Sequence, residues 1–261
     1  MVTRLIFPLS LRARINVHLY KFFPKINDKN ILLEFNPKVK LDLVNTDYGH
    51  KSIIFNGFYE LQLTREIAML AKKGGLLIDV GANFGYFSCL WAAQNTNNEV
   101  IAFEASPENI APLTNNVKKN GLGDQIKIQP NAVGRSKGTL KFSTGGHKDQ
   151  TSWGGFTIDD NGNDITVNVV SLDDYTVENN IDEIQVLKID TEGADTWVLY
   201  GAVNLLKQKR IHHIFFEHNL HRMSLLNINP DESHTFLEGL GYTIQKFSAN
   251  EFYAYPTQTP N

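Results

Sequence analysis

The stretch Leu76-Leu77-Ile78-Asp79-Val80-Gly81-Ala82-Asn83-Phe84-Gly85-Tyr86-Phe87-Ser88 constrains this chain more than any other. A short apolar run ends in a carboxylate and enters a turn with two glycines, after which Tyr86 to Ala93 reads as a mostly buried helix. The pattern is a strand, a tight turn and a helix start. Gly81 and Gly85 give the turn its backbone freedom, and they let a ligand approach the main chain where a side chain would stand in the way.

Two ligand classes use this geometry. A dinucleotide fingerprint has a middle glycine and aims a helix N-terminus at pyrophosphate. Here the turn reads G-A-N-F-G and an acid precedes it. Asp79 would repel pyrophosphate but suits a zwitterion that carries a sulfonium cation. Glu104 closes the next apolar run, Val100-Ile101-Ala102-Phe103, where an acid accepts the ribose hydroxyls of an adenosine. The spacing therefore favours S-adenosylmethionine, with NAD and a purely structural turn as alternatives.

Four segments in this order, DVGANFGYFS, FEASPEN, NAVG and LKIDTEGAD, resemble the FkbM family of S-adenosylmethionine-dependent methyltransferases over roughly residues 55 to 250. The resemblance implies a class I methyltransferase fold and O-methylation of a hydroxyl on a sugar, glycan or glycosylated metabolite. It also implies a cofactor pocket built from Asp79, Gly81, Ala82, Asn83, Gly85, Glu104, Ala105 and Ser106, with Asn131 and Ala132 against the adenine edge. Glu60, in the Gly57-Phe58-Tyr59-Glu60 segment, joins this pocket by the same resemblance; its plainer reading is a charge at a helix N-terminus.

The rest of the chain agrees with an α/β architecture. Glu60 to Lys73 reads as a helix closed by Gly74-Gly75. Ser106-Pro107 starts another, which runs to Asn120. Ile126–Gln129, Val186–Asp190 and Ile211–His218 read as further strands, and Asn131 to Gly134 as a loop. Tyr242–Phe247 and Glu251–Tyr255 form a terminal hairpin. The expected fold is a Rossmann-like three-layer sandwich with a mostly parallel seven-stranded sheet, a terminal antiparallel pair and a small N-terminal extension. Thr139–Phe142 and Ile165–Val170 pair across a long polar loop whose His147 and Trp153 are placed to meet an acceptor.

We divide the chain into a basic extension and cap, 1–58, and a methyltransferase domain, 59–261. The extension reads as a basic, amphipathic helix packed on the domain with its cations in solvent, or docked on an anionic membrane through residues 1–30. Ile31–Leu33, Val39–Leu43 and Ser52–Phe55 have strand-like alternation. The single cysteine, Cys89, reads as core packing and fits a reducing cytoplasm, with peripheral attachment at the inner face of a membrane as the variant. The net charge of -3 gives no basic footprint for nucleic acid, and the resemblance implies a small-molecule or glycan acceptor as the partner.

Deprotonating a poorly nucleophilic hydroxyl calls for a base. Strand-end groups at the carboxyl edge supply the candidates: Asp190, Glu192, Glu217 and His218. Asp190 serves equally as a partner for the cofactor's ammonium group. Asp190, Glu217 and His218 also offer ligands to Mg2+, although no spacing in the sequence argues for a metal. A lipid-linked or polyketide hydroxyl is the alternative acceptor, and a non-catalytic adenosylmethionine-binding module the alternative outside catalysis.

Overall fold

The computed structural model describes residues 2–23, 28–143, 154–157 and 164–257. After a short turn at Val2–Leu5 come α1 (Leu9–Leu19), the two-residue strands β1 (Ile31–Leu32) and β2 (Lys40–Leu41), and α2 (Tyr48–Asn56). The strand expected over Ser52–Phe55 is thus helical. Asp47 caps α2 by accepting from the His50 N–H, and Gly57, at φ 85°, ends it in the left-handed conformation. Ile53, Ile54 and Phe55 are all buried, which is why three consecutive apolar residues carry no helical period. The extension also turns its face differently from the expectation. Arg12 is fully buried rather than solvated.

α3 (Leu61–Ala71) leads through Gly74, at φ 87°, into β3 (Gly75–Val80), the glycine turn and α4 (Tyr86–Ala92). Then follow β4 (Asn98–Phe103), α5 (Pro107–Lys119), β5 (Ile126–Gln129), β6 (Ala132–Val133), β7 (Gly138–Ser143), β8 (Gly155–Phe156) and β9 (Ile165–Val170). The predicted Asn131–Gly134 loop contains β6, which pairs parallel to β9, and the predicted pairing of β7 with β9 is antiparallel. His147 and Trp153 lie outside the described residues. The chain closes with α6 (Leu172–Glu178), β10 (Ile184–Ile189), α7 (Asp195–Tyr200), α8 (Val203–Lys207), β11 (Ile211–Glu217), α9 (Leu220–Leu225), α10 (Asp231–Gly239), β12 (Tyr242–Lys246) and β13 (Glu251–Pro256). The sequence reading did not anticipate α6, α8 or α9; α6 is signalled by Ser171, whose hydroxyl accepts from the Asp174 N–H.

The central sheet runs β12-β13-β11-β10-β3-β4-β5, parallel except for β13, which is antiparallel to both its neighbours. Strands β3, β10 and β11 read as near-continuous apolar runs because helices cover both faces. One buried cluster joins Leu77, Leu90, Trp91 and Val100 to Tyr20, Leu33, Leu41 and Phe55, so the extension shares a core with the sheet. A second cluster, on Ile78, Val80, Leu187, Ile189, Val198 and Phe216, fills the other face. From β3 the chain builds outward through β4 to β5, then returns to lay β10 on the other side of β3. That reversal opens a crevice at the carboxyl ends of β3 and β10, where ligands bind in open α/β sheets.

Candidate active site

The β3 turn and the start of the β10 turn touch. Gly81 sits at φ 78°, and a Cβ built on it would lie 1.9 Å from the Asp190 carbonyl oxygen. The contact leaves room only for glycine. The Gly81 and Ala82 N–H groups donate to the Phe103 carbonyl, at 3.0 and 2.9 Å, and Asp190 N–H donates to the Val80 carbonyl at 3.0 Å, so three strand ends are fixed together. Gly85 caps α4 at φ 89°, and a Cβ there would press on Leu113. It shapes the turn from behind.

Three cavities meet at this junction, and Asp190 lines all of them. The first, about 600 Å³, is bounded by Gly81, Asn83, Glu104, Ala105, Ser106, Asn109, Asn131, Ala132, Asp190, Thr191 and Glu192, with Phe142, Gly154 and Phe156 as an outer wall. The second, about 440 Å³, lies between α2 and the turn and is lined by Asp47, His50, Ile53, Tyr59, Ala82, Asn83, Phe84 and Lys188. The third, about 300 Å³, is lined by Glu60, Lys188, Phe215, Glu217, Phe247, Glu251 and Phe252. Nine of the twelve residues expected to hold a cofactor, Gly81, Asn83, Glu104, Ala105, Ser106, Asn131, Ala132 and Asp190 in the first cavity and Ala82 in the second, border adjoining space. Glu60 faces the third, whereas Asp79 and Gly85 border none of these cavities.

Glu104 is buried, and its carboxylate accepts from the Asn83 N–H at 2.7 Å, the Ser106 N–H at 2.8 Å and Asn109 Nδ2 at 3.4 Å. A carboxylate has about four acceptor positions, so capacity remains for a hydroxyl in the cleft. Burial raises the Glu104 pKa and these donors pull it back. The acid thereby ties the tip of the glycine turn to the end of β4. A buried acceptor with spare capacity, beside backbone that admits no side chain at Gly81, fits the adenosine half of S-adenosylmethionine.

Asp79 has another task. Its Oδ2 accepts from the Ser88 hydroxyl at 2.6 Å, and its Oδ1 lies 3.5 Å from Lys188 Nζ. Lys188 in turn lies 3.2 Å from Asp190 Oδ2 and 5.1 Å from the Phe87 ring centre. Burial would lower the lysine's pKa, but Asp190, Asp79 and Glu60 outweigh it and raise it, so the ammonium stays charged. Reading the sequence alone missed Lys188; its signal was a lone cation in an apolar strand, two residues before Asp190 and therefore on the same face.

Asp190, Glu192 and Glu217 present oxygens within 4.8 Å of one another. Burial and then Asp190 push Glu192 up to about 7 and Glu217 up to about 10. Burial, with Asp190 next, pushes Glu60 up to about 8. Glu192 is held at φ 53° and accepts from Asn219 Nδ2 at 2.7 Å. Asp195, at the start of α7, accepts from the Thr191 and Glu217 N–H groups, at 3.0 and 2.9 Å, and so clamps the β10 turn to β11.

His218 is not brought to this cluster. It follows Glu217 and faces the opposite side of the sheet, where its Nε2 is 2.8 Å from the Ser233 hydroxyl and burial lowers its pKa to about 4. The trio able to offer metal ligands therefore contains Glu192 in place of His218, and it is the one such group among the described residues. Cys89 is buried in the core, and burial pushes its thiol up to about 12.

Residues 79–244 match the methyltransferase FkbM domain. The chain is 27% identical over 161 residues to a hexuronic acid methyltransferase of Haloferax volcanii, covering 57% of this chain and 58% of that protein. It is 30% identical over 157 residues to the 31-O-demethyl-FK506 methyltransferase of Streptomyces tacrolimicus, covering 50% of this chain and 60% of that one. The chain thus spans about three fifths of the length of these curated relatives. Among solved structures, the methyltransferase FkbM of Methylobacillus flagellatus superposes with a TM-score of 0.50 at 15% identity, over 70% of this chain and 44% of that one. That likeness concerns the fold.

Proposed function

The chain belongs to the FkbM methyltransferase family, and from that premise we propose that it transfers the methyl group of S-adenosylmethionine to a hydroxyl of a sugar or glycosylated metabolite. The cofactor, when bound, supplies an electrophilic methyl group on a sulfonium. Glu104 would hold the ribose hydroxyls, Asn131 and Ala132 the adenine edge, and Gly81 to Asn83 the backbone side of the methionine end. Catalysis then consists largely of holding donor and acceptor in line.

The observation that carries the reading is the carboxylate group Asp190, Glu192 and Glu217 beside the glycine-turn cleft. We assign it the proton taken from the acceptor hydroxyl. Glu217, raised to about 10, holds a proton at neutral pH, whereas Glu192, at about 7, is poised to accept one. Glu192 is the member tuned for the task. Lys188, charged and 3.2 Å from Asp190, fixes that carboxylate toward the cleft.

The same charges select the acceptor. Asp190, Glu192 and Glu251 border these cavities, and an acceptor carboxylate brought among them would be repelled once Glu192 has released its proton. A relative named for hexuronic acid therefore does not set the substrate here, and the proposed acceptor hydroxyl sits on a neutral sugar. Phe247 and Phe252 offer apolar faces to its ring. Since Lys188 already supplies a cation beside Asp190, turnover should survive exhaustive chelation; activity abolished by a chelator and restored by Mg2+ would contradict this.

The test is methyl-labelled S-adenosylmethionine offered with neutral hexosides, hexuronosides and glycolipids, with products read by mass spectrometry. Label on a hydroxyl of a neutral sugar, with turnover reduced about a hundredfold or more by Glu192→Gln, is the expected result. Preferential transfer to the hexuronosides, or turnover indifferent to Glu192→Gln, would overturn the assignment.

A further inference from the structure

Helix α1 faces the wrong way for a helix that merely covers a domain. Of its three buried side chains, Leu9, Arg12 and Asn16, two are polar. Arg12, 0% exposed, donates from Nη1 to Glu34 Oε2 at 2.7 Å and to the Asn56 carbonyl at 2.9 Å, and Asn16 Nδ2 donates to Asn56 Oδ1 at 2.6 Å. Arg4 adds donors to the carbonyls of Leu32, Ile53 and Ile54 at 2.6, 2.9 and 3.1 Å. These cations satisfy carbonyls in the last turn of α2, the negative end of its dipole.

The apolar side chains are left outside. Leu5 is 80% exposed, Phe7 71% and Phe22 75%, with Leu11, Ile15 and Val17 also open to solvent. Leu11 and Ile15, four residues apart, share one face of α1. Burying an arginine while exposing two phenylalanines reverses the usual partition of side chains. Such apolar surface marks an interaction site.

The charge around the face names the partner. Residues 1–40 carry eight lysines and arginines against Asp28 and Glu34; setting aside the inward Arg4 and the Arg12–Glu34 pair leaves six cations against Asp28. Arg14, on α1 itself, is exposed. We propose that this face docks on an anionic lipid bilayer, with Leu11, Ile15 and Phe22 seated at the acyl boundary and Arg14 among the cations at the headgroup phosphates. A second copy of the chain is the poorer occupant, because a two-fold contact would set one basic rim against another. The docked face lies one helix from the active site: Ile53 lines the cavity beneath Tyr59, and its carbonyl accepts from Arg4.

The experiment is co-sedimentation of the full chain with vesicles of phosphatidylcholine alone and of phosphatidylcholine mixed with phosphatidylglycerol, with light scattering in the same buffers. Partition into the mixed vesicles only, weakened by salt and reduced about tenfold or more by Leu11→Ser/Ile15→Ser, supports the proposal. Phe22→Ser serves as a second, independent variant should the double substitution alter the melting curve. Failure to sediment, equal binding to neutral vesicles, or binding indifferent to the folded variants overturns it. So does a dimer that these variants dissociate, which would assign the face to a second copy.

Discussion

Asp79 and Lys188 are register partners on neighbouring parallel strands, with Lys188 Nζ 3.5 Å from Asp79 Oδ1 and side chains only 5% and 1% exposed. The ion pair spans β3 and β10, the two strands whose ends frame the cleft. Removing one member of a buried pair leaves an uncompensated charge and costs about 3–5 kcal/mol. Lys188→Met should therefore lower unfolding free energy in urea by that order. Adding Asp79→Asn should recover part of the loss, giving a coupling of about 0.5–3 kcal/mol in a double-mutant cycle. Strict additivity of the two substitutions would mean that the pair is not coupled.

Glu104→Gln keeps the shape of the side chain but exchanges one acceptor oxygen for a donor. A hydrogen bond to a charged group is worth about 1.5–3 kcal/mol, so adenosylhomocysteine should bind roughly 10- to 100-fold more weakly by calorimetry. Unchanged affinity would place the ribose elsewhere.

Gly81→Ala sets a methyl group against the Asp190 carbonyl and asks alanine to hold φ 78°. Left-handed strain and overpacking together should cost about 2–4 kcal/mol, read as a lowered thermal midpoint. A variant as stable as the parent would show that the two turns separate freely.

Stability should fall as pH rises above neutrality. Glu192, Glu60 and Glu217 have folded-state pKa values of about 7, 8 and 10, raised first by burial. An unfolded carboxylate titrates near 4.3, so above that pH the folded state binds more protons and loses stability until its own pKa is passed. His50, His213 and His218, lowered to about 4 by burial, act in the opposite sense but only below about pH 6.5. Between about pH 6.5 and 8 the carboxylates dominate, and nearer pH 9 the raised Cys89 thiol adds to the same decline. Urea titrations across that range should show declining stability, and Glu217→Gln should flatten the decline. Stability rising with pH in this window would contradict the carboxylate arrangement.

Much of the fold follows from local pattern. The apolar runs ending in Asp79, Glu104 and Asp190 announce parallel strands buried on both faces, and Gly81 and Gly85 announce the turn between the first of them and its helix. Helix α2 was hidden because Ile53, Ile54 and Phe55 are enclosed on all sides, which erases the helical period. The direction of α1 was hidden because burying Arg12 depends on carbonyls and a carboxylate far along the chain. The site divides in the same way. Glu104 and Asp190 are found from their positions at strand ends, whereas the role of Lys188 depends on the register between β3 and β10. The placement of Glu217 and His218 on opposite faces follows from strand alternation alone, a signal the candidate list passed over.

If the Gly81–Glu104–Asp190 cleft holds S-adenosylmethionine, calorimetric titration of the folded chain with adenosylhomocysteine and, separately, with NAD will show it. One stoichiometric adenosylhomocysteine site, weakened by Glu104→Gln, and no competing NAD site are expected. Binding of NAD alone, or adenosylhomocysteine binding untouched by Glu104→Gln, would contradict it.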